Sequence, residues 1–202
     1  MLYEFSQWGV SVHIDRLLEV ITENNKAIYE GIETLASIIS STFRRSNTVW
    51  LVGNGGSAST VEHFETDMSL LKYEQLKDFS KIGALTSNSS LITAAANDLS
   101  YQEIFSRILE RKSKSGDSLI AVSASGNSEN IINCVNYAKR SNIETFALIG
   151  FDGGKLKGIC KNEILIKTRI GEYEIVEDIH LAIFHGVKLR LIEIFSQGKE
   201  SL

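Results

Sequence analysis

Three of the four histidines in this 202-residue sequence lie in two short stretches, VEHFETD and VEDIHLAIFH. In the first, His63 and Asp67 stand four residues apart, so on a helix they project from one face. In the second, Glu177 and His185 are eight residues apart and also share a face, with His180 between them turned well away. Imidazole and carboxylate groups so placed suit two chemistries. His63, Asp67, Glu177 and His185 together make a hard and borderline donor set suited to zinc and other divalent ions. The same groups, on opposite sides of a polyol phosphate, could shuttle a proton between adjacent carbons. The two readings are compatible. Taken alone, the His63 and Asp67 pair also reads as a solvated helix face, and His185 as a core histidine.

A second kind of chemistry is suggested by two loops. Thr48 to Ser59, TVWLVGNGGSAS, joins an apolar run to Gly, Asn and Ser and contains G-x-G-x-x-A from Gly53 to Ala58; further on, AVSASGNSEN repeats the pattern after another apolar run. In an open parallel sheet, ligands collect beyond the carboxyl ends of the strands, which is where both loops belong. Each loop leads into a helix, whose free backbone N–H groups and dipole favour an anion, while glycine allows close approach. The hydroxyls of Ser57, Ser123, Ser125 and Ser128 can donate further hydrogen bonds to phosphate oxygens. A neutral, Ser-rich cradle of this kind suits a phosphate monoester. The bland alternative is that these residues only cap helices and turn the chain, and Ser59-Thr60-Val61-Glu62 does fit a capping box.

A dinucleotide would need an acid after the second strand to bind its ribose, and Thr86, Ser87 and Asn88 stand there instead. No G-K-[ST] marks a phosphate-binding loop of the NTPase type. A third polar point, Asn97-Asp98, ends an Ala-rich segment; Asp98 could accept hydrogen bonds from sugar hydroxyls, or the pair could be an ordinary turn.

The elements that must position these groups follow from hydrophobic periodicity. From Ser11 to Thr42, apolar residues recur at spacings of three and four, predicting an amphipathic helix with a possible break at Asn24-Asn25. Such an arm suits packing against a second subunit, although packing on its own sheet explains the same pattern. Short β-like runs follow at 49–52, 81–85, 119–122, 146–149 and 163–166, with helical patterns such as 129–140 between most of them. That alternation predicts an α/β fold with a parallel sheet covered on both faces, closed by a helix over about 174–195.

Composition narrows the function further. Hydrophobic residues at 43% and charged residues at 23% describe a soluble globular chain, and the length suits one domain. A net charge of -4 leaves no electrostatic footprint for nucleic acid or an anionic membrane. No apolar run approaches the roughly 20 residues of a membrane helix, and the first residues lack a signal-peptide pattern, so a cytoplasmic location is expected. Cys134 and Cys160 lack metal-type spacing and read as buried, reduced thiols. There is no proline, so Gly, Asn, Asp and Ser must make the turns.

In order along the chain, GNGGSAS with His63 eight residues after Gly55, ANDLSYQEIFSRILE, SASGNSENI, GFDGGKLKG and VEDIHLAIFH resemble the sugar isomerase (SIS) domain of the phosphoheptose isomerase family. The likeness runs from about residue 48 to 196, and the N-terminal helical arm is similar to that family's. The resemblance implies a three-layer sandwich with a five-stranded parallel sheet, an oligomerisation arm over 1–46 and a sugar-phosphate-binding unit over 47–202. It implies a homotetrameric zinc enzyme that interconverts sedoheptulose 7-phosphate and D-glycero-D-manno-heptose 7-phosphate. It also implies that Asn54, Gly55, Gly56, Asn97 and Asp98 contact substrate, that Ser123, Ala124, Ser125 and Ser128 grip phosphate, and that His63 and His185 bind metal, with His185 also an acid/base group. The sequence departs from the pattern at three places. Asp67 replaces the family's catalytic glutamate, Glu177 its glutamine, and Ala124 the threonine of its Ser-Thr-Ser loop. Relatives of this fold also include non-catalytic proteins that bind a replication initiator, which is the competing expectation.

Overall fold

The computed structural model describes residues 10–71 and 81–196. The first nine residues of the expected arm and the last six of the chain lie outside the described residues.

The chain begins with one long helix, α1 (Val10–Arg44), and then alternates strand and helix. The strands are β1 (Thr48–Val52), β2 (Lys81–Ala84), β3 (Ser118–Ser123), β4 (Glu144–Phe151) and β5 (Asn162–Lys167). Between and after them come α2 (Gly56–Ser69), α3 (Ser89–Asp98), α4 (Ile104–Lys112), α5 (Glu129–Arg140) and α6 (Tyr173–Ser196). The sheet order is β2-β1-β3-β4-β5 and every pairing is parallel. The chain starts in the interior of the sheet, runs to one edge, and returns past β1 to the other. The carboxyl ends of β1 and β3 are therefore neighbours, with Val52 opposite Ala121. That adjacency brings the two Gly/Ser loops side by side.

Side chains from the two faces of the sheet enter two separate cores. One contains α1, α2 and α6, with Leu35, Ile39, Phe43, Phe64, Phe184 and Val187 buried against Leu51, Ile120 and Leu148. The other holds α4 and α5, with Ile104, Phe105, Leu109, Ile131 and Val135 against Val52, Ala121 and Ala147. β3 is buried along its whole length, as a central parallel strand must be.

Two local expectations are corrected. No break occurs at Asn24-Asn25, because α1 is continuous. Asn24 is buried, donates to the Val20 and Lys167 carbonyls, and accepts the Lys167 N–H, so it ties α1 to β5. Nor is Ser59 a helix cap. α2 starts three residues earlier, at Gly56, with Gly55 as its N-cap at φ 55°. Positive φ costs glycine little, so the turn is made where the glycines are.

α1 is not a free arm. Its second half is core, and Ile32 fits against Gly186 of α6, where a Cβ would meet Ile32 Cδ1 at 2.7 Å. Its first half is held by Arg16, which donates through Nε and Nη2 to both oxygens of Glu172 at 2.9 and 3.0 Å. Glu172 is buried; desolvation pushes its carboxyl up, but hydrogen bonds from Arg16 and the Arg169 N–H outweigh that and hold it below the ordinary value. Val12, Ile14, Leu18 and Tyr29 remain exposed on this helix. Among the described residues, no helix is long and apolar enough to cross a membrane.

Candidate active site

The site is built by α2 and α6, which follow β1 and β5 and lie side by side on one face of the sheet. Their contact is fixed by Phe64 and Phe184, whose rings stack at 4.5 Å. Each phenylalanine is flanked by a histidine. His63 precedes Phe64 and His185 follows Phe184, so the buried aromatic pair sets the two imidazoles facing one another at the edge of the core. Their Nε2 atoms are 3.1 Å apart. Asp67, one turn beyond His63, places Oδ2 at 3.7 Å from His63 Nε2 and 4.0 Å from His185 Nε2. Its other oxygen, Oδ1, is 3.0 Å from the ammonium of Lys188.

Among the described residues, His63, Asp67 and His185 are grouped so that they could hold a metal. Their three candidate ligand atoms lie within 4.8 Å of one another. A tetrahedral zinc with bonds of about 2.0–2.1 Å separates its ligands by roughly 3.3 Å, close to the 3.1–4.0 Å found here. Two imidazoles and one carboxylate are also a donor set that zinc favours. Both histidines are half exposed, which leaves the group open to a further ligand from outside.

Glu177 lies outside this group. Eight residues of helix separate it from His185, a rise of about 12 Å, so the two share a face of α6 without sharing one ion within the chain. Its carboxylate instead sits over the start of α2, where a Cβ on Gly56 would collide with it. Desolvation, together with the charges of Glu174 and Asp178, pushes the Glu177 carboxyl above its ordinary value.

Glu177 also lines a small cavity of about 170 Å³ with Asn54, Ser57, Ser123, Ala124, Ser125, Ser128 and Tyr173. That volume is below the roughly 300–1,000 Å³ of a whole small-molecule site, so the cavity is sized for one end of a ligand. The Ser loop that forms its wall is tightly built. Ser123 Oγ accepts the Gly126 N–H at 3.1 Å, Ser125 Oγ accepts the Asn127 N–H at 3.2 Å, and the Ala124 carbonyl accepts the Gly150 N–H at 3.0 Å. Ser128 begins α5 without a side-chain capping bond, so its hydroxyl is not committed there. Asn54 is held face to face with buried Asn130 by two amide hydrogen bonds of 2.9 and 3.1 Å, and its oxygen also accepts from the Tyr101 hydroxyl at 3.2 Å.

Asn97 and Asp98 do not line this cavity. They end α3, are exposed, and bond to each other, with Asn97 Nδ2 donating to Asp98 Oδ1 at 2.8 Å. A larger cavity of about 690 Å³ lies at the amino ends of the strands, around Asp117, Glu144 and Cys160, at the opposite end of the sheet from the Ser loop. Its cations are engaged locally, Lys161 with Glu144 and Lys139 with the Ile159 carbonyl. Cys134 and Cys160 are both buried free thiols whose ionisation burial opposes.

Lys188, Tyr101, Asn130 and Tyr173 were not singled out from the sequence. Only Lys188 carried a usable signal, three residues after His185 and so on its side of the helix.

Residues 12–150, more than half of the chain, match the SIS domain family. A phosphoheptose isomerase from Pelodictyon phaeoclathratiforme is 34% identical over 193 residues, covering 95% of this chain and 89% of that protein. A probable phosphoheptose isomerase from Thermoplasma acidophilum is 36% identical over 166 residues, covering 82% and 90%. Among solved structures, the phosphoheptose isomerase from Neisseria gonorrhoeae superposes with a TM-score of 0.82 at 26% identity, covering 91% of this chain and 97% of that one. Fold and relatives together define an enzyme of the phosphosugar isomerase class, built on the three-layer α/β architecture expected of it. Within that class, the chain belongs to the phosphoheptose isomerase family.

Proposed function

We propose that this enzyme interconverts sedoheptulose 7-phosphate and D-glycero-D-manno-heptose 7-phosphate through an enediol, as a zinc-dependent homotetramer in the cytoplasm. The observation that carries the reading is the gathering of His63, Asp67 and His185 on α2 and α6, the two helices whose first turns border the Ser-loop cavity. Along either helix, the cavity and the cluster are separated by about two turns, roughly 10 Å. A long sugar phosphate suits that span, with its phosphate in the Ser loop and its reactive end towards the histidines.

In this reading, Ser123, Ser125 and Ser128, with backbone N–H groups at the start of α5, bind the phosphate. That remote hold orients C1 and C2 at the cluster. Asp67 removes the proton from the carbon beside the carbonyl and returns it to the neighbouring carbon, while His185 moves protons between the two oxygens. The electron pair left on carbon becomes the double bond of the enediol, and no atom is gained or lost overall. Zinc held by His63, Asp67 and His185 would supply Lewis-acid stabilisation of negative charge on the substrate oxygens. Asn54, braced by Asn130, is placed to hydrogen-bond sugar hydroxyls, as are Gly55 and Gly56 through their backbone. Glu177 belongs to the substrate pocket in this scheme. The exposed apolar residues of α1, Val12, Ile14 and Leu18, would face a second subunit.

The test is turnover of sedoheptulose 7-phosphate by the zinc-loaded protein, with the aldose phosphate identified as product. Stabilisation by phosphosugars without turnover of any heptulose or hexulose phosphate would overturn the proposal.

A further inference from the structure

Asp67 differs from the other two members of the cluster in having a partner outside it. His63 and His185 present their Nε2 atoms to each other and to Asp67 Oδ2, whereas Asp67 Oδ1 is turned to Lys188. Lys188 lies one turn after His185 on α6, so its ammonium reaches Asp67 from the same helix that supplies the second imidazole. The side chains of Lys188 and Asp67 are 28% and 21% exposed, and an ion pair so sheltered is less screened than one in open solvent. The sheltering matters because two histidines do not by themselves orient a carboxylate. Without Lys188, either oxygen of Asp67 could turn towards them, or both together.

We propose that Lys188 is a positioning residue, which holds Asp67 by Oδ1 so that the carboxylate offers Oδ2 alone to the space between His63 and His185. An ion there would receive one oxygen from Asp67 rather than two. A substrate proton there would likewise meet one oriented lone pair. The inference rests on the reading of His63, Asp67 and His185 as the reactive cluster. It adds the residue that selects which atom of the carboxylate is used, and it explains how an acid on the shorter aspartate arm is kept in register with both imidazoles.

Cobalt is the probe, because its visible absorption reports coordination number and is strongest when the ion has four ligands. Metal-free full-length protein is titrated with cobalt(II) in four forms: unaltered, Lys188→Met, Asp67→Ala, and the double variant. The unaltered protein is expected to give the intense absorption of a four-coordinate ion. Lys188→Met is expected to lower that absorption several-fold, as the released carboxylate binds through both oxygens or swings away, with little change in melting temperature. In the Asp67→Ala background, Lys188→Met is expected to leave the spectrum unchanged, because its influence passes through Asp67. Identical spectra for the unaltered protein and Lys188→Met would overturn the proposal. So would an equal effect of Lys188→Met with and without Asp67, which would mark a through-space charge effect, and so would failure of the unaltered protein to form a cobalt complex. Absence of phosphosugar turnover alongside the expected cobalt pattern would sink the isomerisation scheme and leave the role of Lys188 standing.

Discussion

The two Gly/Ser loops end neighbouring strands and are alike in composition, but the structure uses them differently. The second, Ser123 to Ser128, folds back on itself. Ser123 and Ser125 accept backbone N–H groups within the loop, and Gly126, at φ 63°, lies directly on the backbone of Gly153. The first, Gly53 to Gly56, makes its turn at Gly55, which has no neighbour within 4 Å on the side where a Cβ would stand. Its helix start is faced by the carboxylate of Glu177. Glu177 lies against the first loop's helix start and borders the cavity from that side, while the second loop presents hydroxyls and backbone N–H groups to it. Similar composition therefore produces one loop suited to phosphate and one better suited to the uncharged part of a sugar.

The largest effect that sharpens this contrast is expected from Gly126→Ala. Its Cβ would enter the Gly153 carbonyl oxygen from a positive-φ position, and backbone cannot yield as a side-chain tip can. Overpacking plus left-handed strain should cost roughly 2–5 kcal/mol, measurable by urea unfolding, with loss of phosphosugar binding.

A comparable effect is expected from acid. His180 lies fully buried in α6, with neither ring nitrogen in strict hydrogen-bond geometry, although the Ile149 backbone is near enough to raise its pKa slightly. Burial pushes that pKa from 6.5 down to about 4. Its folded pKa lies below its unfolded one, so stability is complete above pH 6.5 and falls as the unfolded chain takes up the proton. By pH 4 the loss should be on the order of 3 kcal/mol. Unfolding curves across this range should flatten in His180→Leu; an unchanged pH dependence would assign the acid sensitivity elsewhere.

Next comes Ser128→Ala, which removes a hydroxyl not committed to capping. Loss of one hydrogen bond to a charged phosphate, about 1.5–3 kcal/mol, should raise KM by one to two orders of magnitude with kcat nearly intact. Equal sensitivity to Ser57→Ala would break the contrast between the loops. Gly55→Ala should be milder than Gly126→Ala, since only backbone strain of about 1–3 kcal/mol opposes it. The smallest change is expected from Glu177→Gln. Removing the charge beside the cavity should lower KM for a phosphosugar a few-fold at neutral pH, and the difference from the parent should shrink as pH falls and Glu177 itself becomes neutral.

Much of this architecture was legible from patterning. The strand expected over 119–122 is Ser118–Ser123, the helix over 129–140 is unchanged, and the last helix is extended by a residue at each end. Such segments are readable because burial on both faces of a sheet demands continuous apolar runs, and helix packing demands a 3.6-residue period. Asn24 misled because its polarity suggested solvent, whereas its amide is satisfied across α1 and β5. Ser59 misled because a local capping pattern competes with a glycine turn four residues upstream. In the candidate site, the pairing of His63 with Asp67 was legible from a spacing of four. That Glu177 stands apart from them was not, since sharing a helix face says nothing about distance along it.

By itself, the sequence determined the alternation of strand and helix, the two Gly/Ser loops at strand ends, and the chemical types available on α2 and α6, because these depend on short-range spacing. Only the tertiary structure decided that Phe64 stacks on Phe184, and hence that His63 meets His185, that Asp67 divides its oxygens between the histidines and Lys188, and that Glu177 faces Gly56. Helical periodicity defines which residues share a face. The register of one helix against another is set by packing between residues more than a hundred positions apart.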